Sequence, residues 1–370
     1  MKKILYIHDY PLMEGGGVEI QTYNDSVALT KAGFTVSIIS SRKSSETRTD
    51  TRHTYPFTTA DGVTLDICAS TDSMTNSIID ADIVHIHATY SMRPAMMSAM
   101  KICNQIQKKY FVTLHTNSSH IPFSRLADMP LLEKDIILDD FKRYLSSDLC
   151  TIVGVSQSIQ ASLSDIGITK ECCVIYNAKD WNSFFEYENT QISKVDVTYI
   201  GEISWMKGMH TLISAITILI EQKPDLKVRI IGNGQDKKQV IALVQALGLE
   251  THIEFIEYTE NKYVYAYLQN TSLLVQPSLS ESWGNIVMEA LAAKTAVVVS
   301  KTEGLVELVE DGKIGDLFEK GNAADLAKKI QDRLDNPLST AESDRVSAYI
   351  TNKYSMQNRL EQMKKLYLAQ

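Results

Sequence analysis

The sequence predicts an α/β protein of two doubly wound domains, each a parallel sheet between layers of helices. Three observations carry this. Short apolar runs alternate with amphipathic stretches through both halves of the chain. A glycine-rich turn, Gly15-Gly16-Gly17, follows the first apolar run. The alternation breaks once, in the polar segment with scattered aromatics from Trp181 to Lys194, which reads as a linker. At 370 residues the chain also exceeds what one core ordinarily serves. The expected domains are residues 1–190 and 191–351, with a last helix at about 352–370 packing back on the first domain.

In the first half, residues 3–10 form the first buried strand, Pro11 to Gly17 a loop, and Val18 to Ala32 a helix closed by Gly33. Phe34 to Ile39 is the next strand, completing a βαβ unit. Its glycines do not fit G-x-G-x-x-G, which disfavours a dehydrogenase-type dinucleotide fold and leaves close backbone approach to a ligand, or a flexible turn. Residues 42–62 are polar and threonine-rich, a long loop or short hairpin. Asp80-Ala81-Asp82 precedes an apolar strand and reads as a turn. That strand, Asp82 to His87, puts His85 and His87 on one face. With no further ligands at motif spacing, they read as structural residues and not as a metal site. A helix at 91–108 follows, then a strand from Tyr110 to Asn117 whose polar end and following loop to Pro130 lie at the ligand-binding edge of the sheet. A helix at 131–145, a strand at 150–156, a helix at 157–166 and a strand at 172–176 complete the half.

The second half restarts with a strand at 195–200 and continues βα through helices at 209–222, 235–247 and 260–269 and strands at 226–231 and 252–258. The richest stretch comes next. Glu281 and Glu289 stand eight residues apart, between an apolar strand at 272–277 and another at 295–300. This reads as strand, loop, helix, strand, with the carboxylates bracketing the helix start. A helix N-terminus at the carboxyl end of a parallel strand suits anions, and an ionised glutamate, which only accepts hydrogen bonds, suits hydroxyls. Phosphate plus hydroxyls describes a sugar nucleotide. The alternative is an ordinary helix whose N-terminal acid complements its dipole. A helix at 305–309, a short strand within 312–318, and helices at 322–334 and 344–369 end the chain.

The net charge of −8, shared by both halves, argues against a general nucleic-acid binder and against strong adsorption to anionic lipid. Membrane contact is therefore peripheral at most. Five cysteines, an odd number, include the adjacent Cys172-Cys173, which lack metal-ligand spacing and read as small apolar strand residues in a reducing compartment. Only four apolar residues follow Lys2-Lys3, too few for a signal-peptide core, so a cytoplasmic location is expected.

In combination these features resemble the GT-B glycosyltransferases, and most closely glycosyltransferase family 4, a family of retaining enzymes that use sugar nucleotides. The resemblance runs over nearly the whole chain. It rests on Gly15-Gly16-Gly17-Val18-Glu19, Asp82 through His87, Thr113-Leu114-His115, Val155-Ser156 and Val174-Ile175-Tyr176-Asn177. Lys207-Gly208, Gly232-Asn233-Gly234 and the E-x7-E pair Glu281 and Glu289 complete the set. It implies two Rossmann-like domains facing an interdomain cleft, no metal and no cofactor. It implies that Gly16 and Gly17 lie against the donor diphosphate and the acceptor, that His115 sits by the donor sugar, and that Lys207 holds the diphosphate. Glu281 would bond sugar hydroxyls and Glu289 the ribose. Backbone amides of Asn285 and Ile286, after Gly284, would face phosphate, and the base would lie along the strand carrying Ile256. His115, Glu281 and Lys207 are thus the catalytic candidates. The acceptor would bind the first domain's loops, including Gly15, Asn117 and Ser118. Lys207 as a solvated lysine and His115 as a structural histidine are the bland alternatives.

The implied function is transfer of a sugar from a nucleoside-diphosphate sugar, UDP-linked sooner than GDP-linked, to an acceptor hydroxyl in glycan or glycoconjugate synthesis. Two departures stand out: Ala178 replaces a usual glycine, and Glu202 stands where many members have arginine. A carboxylate ~6 Å from a phosphate at an effective dielectric of ~20 costs roughly 3 kcal/mol, so Glu202 is expected to turn away, pair with a cation or meet another donor group. Competing readings are a nucleotide-sugar-binding protein without catalysis and a sugar-nucleotide epimerase of the same fold. A phosphorylase would need a pyridoxal-phosphate lysine and a longer chain.

Overall fold

In the computed structural model, the described residues are 1–8, 16–40, 56–67, 70–90, 92–123, 129–187 and 191–369. Gly15, most of the glycine-rich loop, Cys68 and part of the loop that runs to Pro130 lie outside them. The chain begins β1 (Lys3–His8), α1 (Gly17–Lys31), β2 (Thr35–Ser40), β3 (Phe57–Thr58), β4 (Thr64–Ile67), α2 (Thr71–Asp80) and β5 (Ile83–Ala88). It continues α3 (Pro94–Gln105), β6 (Tyr110–Leu114), α4 (Leu131–Ser146), β7 (Cys150–Gly154), α5 (Ser158–Asp165) and β8 (Cys172–Val174). Next come α6 (Trp181–Phe184), β9 (Val195–Ile200), α7 (Met209–Ile220), β10 (Val228–Ile231), α8 (Lys237–Ala246), β11 (Ile253–Ile256) and α9 (Val264–Gln269). The last elements are β12 (Thr271–Gln276), α10 (Asn285–Ala292), β13 (Ala296–Ser300), α11 (Glu303–Leu308), β14 (Asp316–Phe318), α12 (Ala323–Asp335), α13 (Thr340–Lys353) and α14 (Met356–Leu368).

Two compact units result: Met1–Ala178 together with Met356–Gln370, and Lys179–Ser355. The first sheet runs β3-β4-β2-β1-β5-β6-β7-β8, parallel except for the β3–β4 pair. Successive residues of its central strands enter opposite cores. Leu5, Ile7, Val84, Ile86, Val112 and Leu114 join one, while Ile4, Tyr6, Ile83 and Phe111 join the other. Both faces are therefore covered, as an all-parallel centre requires. The second core also takes Met363 and Tyr367 of α14. The second sheet runs β11-β10-β9-β12-β13-β14 and is parallel throughout. Its order reverses direction at β9, which lies between β10 and β12, so the carboxyl ends of β9 and β12 flank the crevice where such sheets hold ligands.

Several elements differ from expectation. The chain from 64 to 80, for which no element is predicted, holds β4 and α2, and Ser70 caps that helix by accepting from the Ser73 amide. The last helix is two helices, because Tyr354 and Ser355 leave the helical path to meet Lys179: the Lys179 amide donates to the Tyr354 carbonyl at 3.1 Å. Strand β8 is an edge strand, so Cys173 is exposed instead of buried; no disulfide joins the described cysteines. Asp80 and Asp82 hold the turn before β5, Asp80 by pairing with the Lys3 ammonium and Asp82 by accepting from the Lys3 amide at 2.7 Å.

Candidate functional site

In the second unit the loops after β9 and β12 are locked together. Lys207 ends a short 3-10 turn, Trp205–Lys207, and Gly208 turns the chain into α7 with φ +74. A Cβ at Gly208 would lie 1.9 Å from the Pro277 carbonyl oxygen, so only glycine lets the loops meet. The Leu279 amide then donates to the Met206 carbonyl at 2.8 Å. This brings the Lys207 ammonium 2.7 Å from Glu281 Oε2, with both side chains largely buried. Gly284, left-handed at φ 92, starts α10. The first helical bond runs from the Val287 amide to the Gly284 carbonyl at 3.0 Å, so the amides of Asn285 and Ile286 precede it.

Glu289 lies one turn into α10 and is buried. Its Oε1 meets Lys179 Nζ at 2.5 Å, and that ammonium also lies 5.1 Å from the centre of the Phe184 ring. The sequence offers no signal for this lysine, whose partner is 110 residues away. An ammonium has three donors and a carboxylate about four acceptor sites. Each pair therefore keeps donors for phosphate oxygens and acceptors for hydroxyls, beside a helix N-terminus that favours negative charge. The Glu202 side chain is exposed and joins no ion pair among the described residues; its carbonyl accepts from Tyr199 Oη at 2.6 Å. Ile256 ends the edge strand β11, half-buried, with its carbonyl taken by the Gly232 amide at 2.9 Å.

In the first unit Gly16 starts α1, which begins at Gly17, and the Gly16 amide donates to Glu19 Oε2 at 2.9 Å. The other oxygen of Glu19 lies 3.7 Å from His8 Nε2. Beside His8 stand His85 and His87 on β5 and His115 just after β6, all buried. The rings of His85 and His87 stack at 4.9 Å, and those of His87 and His115 at 5.2 Å. Burial pushes the His87 and His115 pKa values well below the ordinary range; burial, aided by the Arg359 guanidinium, pushes His85 down to about 3. All three are neutral at physiological pH. His85 is held by Tyr367 Oη at 2.5 Å and Thr113 Oγ1 at 2.6 Å, a satisfied structural residue. Asn117 is buried and accepts from Ser119 Oγ at 2.7 Å. Ser118 spends its hydroxyl on Asp165 at 2.8 Å and its amide on Ser162 at 2.6 Å, both within the same unit.

Among the described residues, no group of three or more histidine, cysteine or acidic side chains is arranged to hold a metal ion, and no helix is long and apolar enough to cross a membrane.

Two family models match the chain: one described as Glycosyltransferase Family 4 over residues 15–180, and one described as Glycosyl transferases group 1 over residues 184–353. An uncharacterized glycosyltransferase of Methanocaldococcus jannaschii is 27% identical over 255 residues, 69% of this chain and 66% of that protein. The matches span less than two thirds of the first curated relatives. Two solved structures superpose on the whole chain at 16% identity. One is a sucrose-phosphate synthase from Thermosynechococcus elongatus, TM-score 0.82, with 99% of its own chain covered. The other is the HepE protein of Anabaena in complex with UDP and glucose, TM-score 0.78, with all of its chain covered. At that identity the likeness concerns the fold.

Proposed function

We propose that this chain, a two-domain GT-B protein that resembles the family 4 glycosyltransferases through both its halves, transfers a hexosyl group from a nucleoside-diphosphate sugar to an acceptor hydroxyl with retention. The observation that carries the reading is the pair of lysine–glutamate contacts, Lys207 with Glu281 and Lys179 with Glu289, at the ligand edge of the second sheet beside the N-terminus of α10. In this reading Lys207 and the amides of Asn285 and Ile286 hold the diphosphate, Glu281 accepts from sugar hydroxyls and Glu289 from the ribose. His115 stands by the donor sugar, and the base lies along β11 near Ile256. The acceptor meets the first unit's loops at Gly15, Gly16, Gly17, Asn117 and Ser118. UDP is favoured over GDP; a structural neighbour was solved with UDP and glucose.

The chemistry follows from the charges. The anomeric carbon–phosphate oxygen bond breaks, and the leaving diphosphate gains negative charge that preorganised cations and amides stabilise. The acceptor oxygen bonds the anomeric carbon on the same face and passes its proton to the departing phosphate oxygen. Two lysines supply the charge a divalent cation supplies elsewhere, so turnover is expected to survive chelators. The proposed setting is glycan or glycoconjugate synthesis on the cytoplasmic side.

Incubation with a panel of UDP- and GDP-sugars, followed by release of nucleoside diphosphate and by NMR of the product anomer, tests the proposal. Release with a retained anomer is expected. The competing reading, a nucleotide-sugar-binding protein without turnover, draws on Glu202 and predicts tight binding with no release. Glu281→Ala should lower turnover by orders of magnitude while UDP binding persists; unchanged turnover removes Glu281 from the site.

A further inference from the structure

His87 is chemically unlike its neighbours. Its Nδ1 lies 2.9 Å from His115 Nε2 and 3.3 Å from Thr22 Oγ1, and its Nε2 is buried with no hydrogen-bond partner among the described residues. His8 and His85 also face the ring, at centroid distances of 6.2 Å and 4.9 Å, and Tyr6 meets it edge-on at 4.7 Å. Both rings of the His87–His115 pair are neutral, so each carries one N–H. The contact between them needs one proton, and two placements are possible.

The Thr22 hydroxyl decides between them. Its single proton is committed to the Val18 carbonyl at 2.8 Å, so toward His87 it offers only lone pairs. Suppose His115 Nε2 carried the shared proton. His87 Nδ1 would then face the Thr22 lone pairs bare, and its one N–H would sit at the buried, unpartnered Nε2. Orphaned buried N–H groups are rarer than under-satisfied acceptors. With the proton on His87 Nδ1, that N–H donates to His115 Nε2 with Thr22 Oγ1 as a second acceptor, and the unpartnered atom is a bare lone pair.

We infer that His87 is a positioning residue: it donates its Nδ1–H to His115 Nε2 and fixes His115 as the Nδ1–H tautomer. The consequence rests on the proposed role of His115 beside the donor sugar. His115 then has Nδ1–H as its one donor and its Nε2 lone pair is occupied. It can give a hydrogen bond to a hydroxyl or phosphate oxygen of the donor, and it cannot take the acceptor's proton.

Long-range 1H–15N correlation on histidine-labelled full-length protein, with His115 assigned through His115→Asn, reads the tautomer without any assay. Protonated Nδ1 and bare Nε2 on His115 are expected; a protonated Nε2 overturns the inference. Two variants read the consequence. His87→Leu should lower kcat with a UDP-sugar about 10- to 100-fold while the Kd for UDP moves less than about 2-fold. His87→Asn, which returns an amide N–H, should recover most of the loss. Equal losses in both variants, or none in His87→Leu, would defeat the positioning role. If the expected tautomer is found but no nucleotide sugar is turned over, the proposed function fails and the tautomer assignment stands.

Discussion

Lys179 changes the chemistry expected of Glu289. The glutamate was readable from its spacing to Glu281, but its counter-ion was not, because nothing local marks a lysine 110 residues earlier as its partner. Replacing Lys179 with alanine leaves a largely buried carboxylate uncompensated, at a cost of about 3 kcal/mol, and removes a cation from the proposed nucleotide site. The expected outcome is a lower Tm for the second unit and a UDP Kd raised about 10-fold or more, with Lys179→Arg recovering the Tm; calorimetry with and without UDP checks both. Glu289→Ala should likewise weaken UDP binding, and a calorimetric titration that finds no loss would remove its ribose role. Gly208 is equally exposed to a test. Alanine there meets both a left-handed backbone and the Pro277 carbonyl, so Gly208→Ala should destabilise the second unit by at least about 2 kcal/mol in urea melts. The K-G pair was legible through family resemblance; why the glycine is needed is visible only when the two loops meet.

Strands β1 and β5 carry His8, His85 and His87, His115 directly follows β6, and the alternation of apolar residues located all three strands to within a few residues. Period two also put His85 and His87 on one face, but it could not show that His115, just past the end of the next strand over, would stack on His87. Register between neighbouring strands is a tertiary property, and His87 pairs across the sheet with Thr113. The stack makes this sheet acid-sensitive. His85, His87 and His115 all have folded pKa values below an unfolded value of about 6.5. Between those values the unfolded chain holds protons the folded one does not, so stability rises with pH. Their contribution is complete above pH 6.5 and declines as the pH falls toward the folded values, about 3 for His85. From pH 6.5 to 5.5 the three together should forfeit about 3 kcal/mol, read from urea midpoints across that range. A triple variant with asparagine at these positions should show a shallower acid slope. The missed β4 and α2 have a plainer explanation. Thr64-Leu65-Asp66-Ile67 is too short and too polar to stand out, and takes its place because β2 pairs with it.

In the whole chain, length and the break in alternation led to the expectation of two domains, whereas nothing in the sequence marked the residue that anchors the last helix. Arg359 of α14 is buried and grips both oxygens of Asp25 in α1 at 2.7 Å, and it also donates to the carbonyls of Ile175 and Tyr176. A basic residue in the first turn of a polar helix looks solvated until its partner, 334 residues away, is known. Arg359→Ala strands a buried carboxylate and should cost the first unit about 3–5 kcal/mol. Hydrogen exchange should quicken in β1, β5 and β6, while the amides of Lys179–Ser355 keep their protection, because Asp25, Ile175 and Tyr176, which Arg359 bonds, all lie in the first unit. The same contact dictates an order of completion during synthesis. Asp25 leaves the ribosome before the second unit and Arg359 after it, so the entire second unit is made between them. At about 5–20 residues per second, Asp25 waits roughly twenty seconds to a minute for its cation. The domain that is begun first is therefore finished last, and a nascent chain stalled before Arg359 carries a complete second domain behind an unfinished first one.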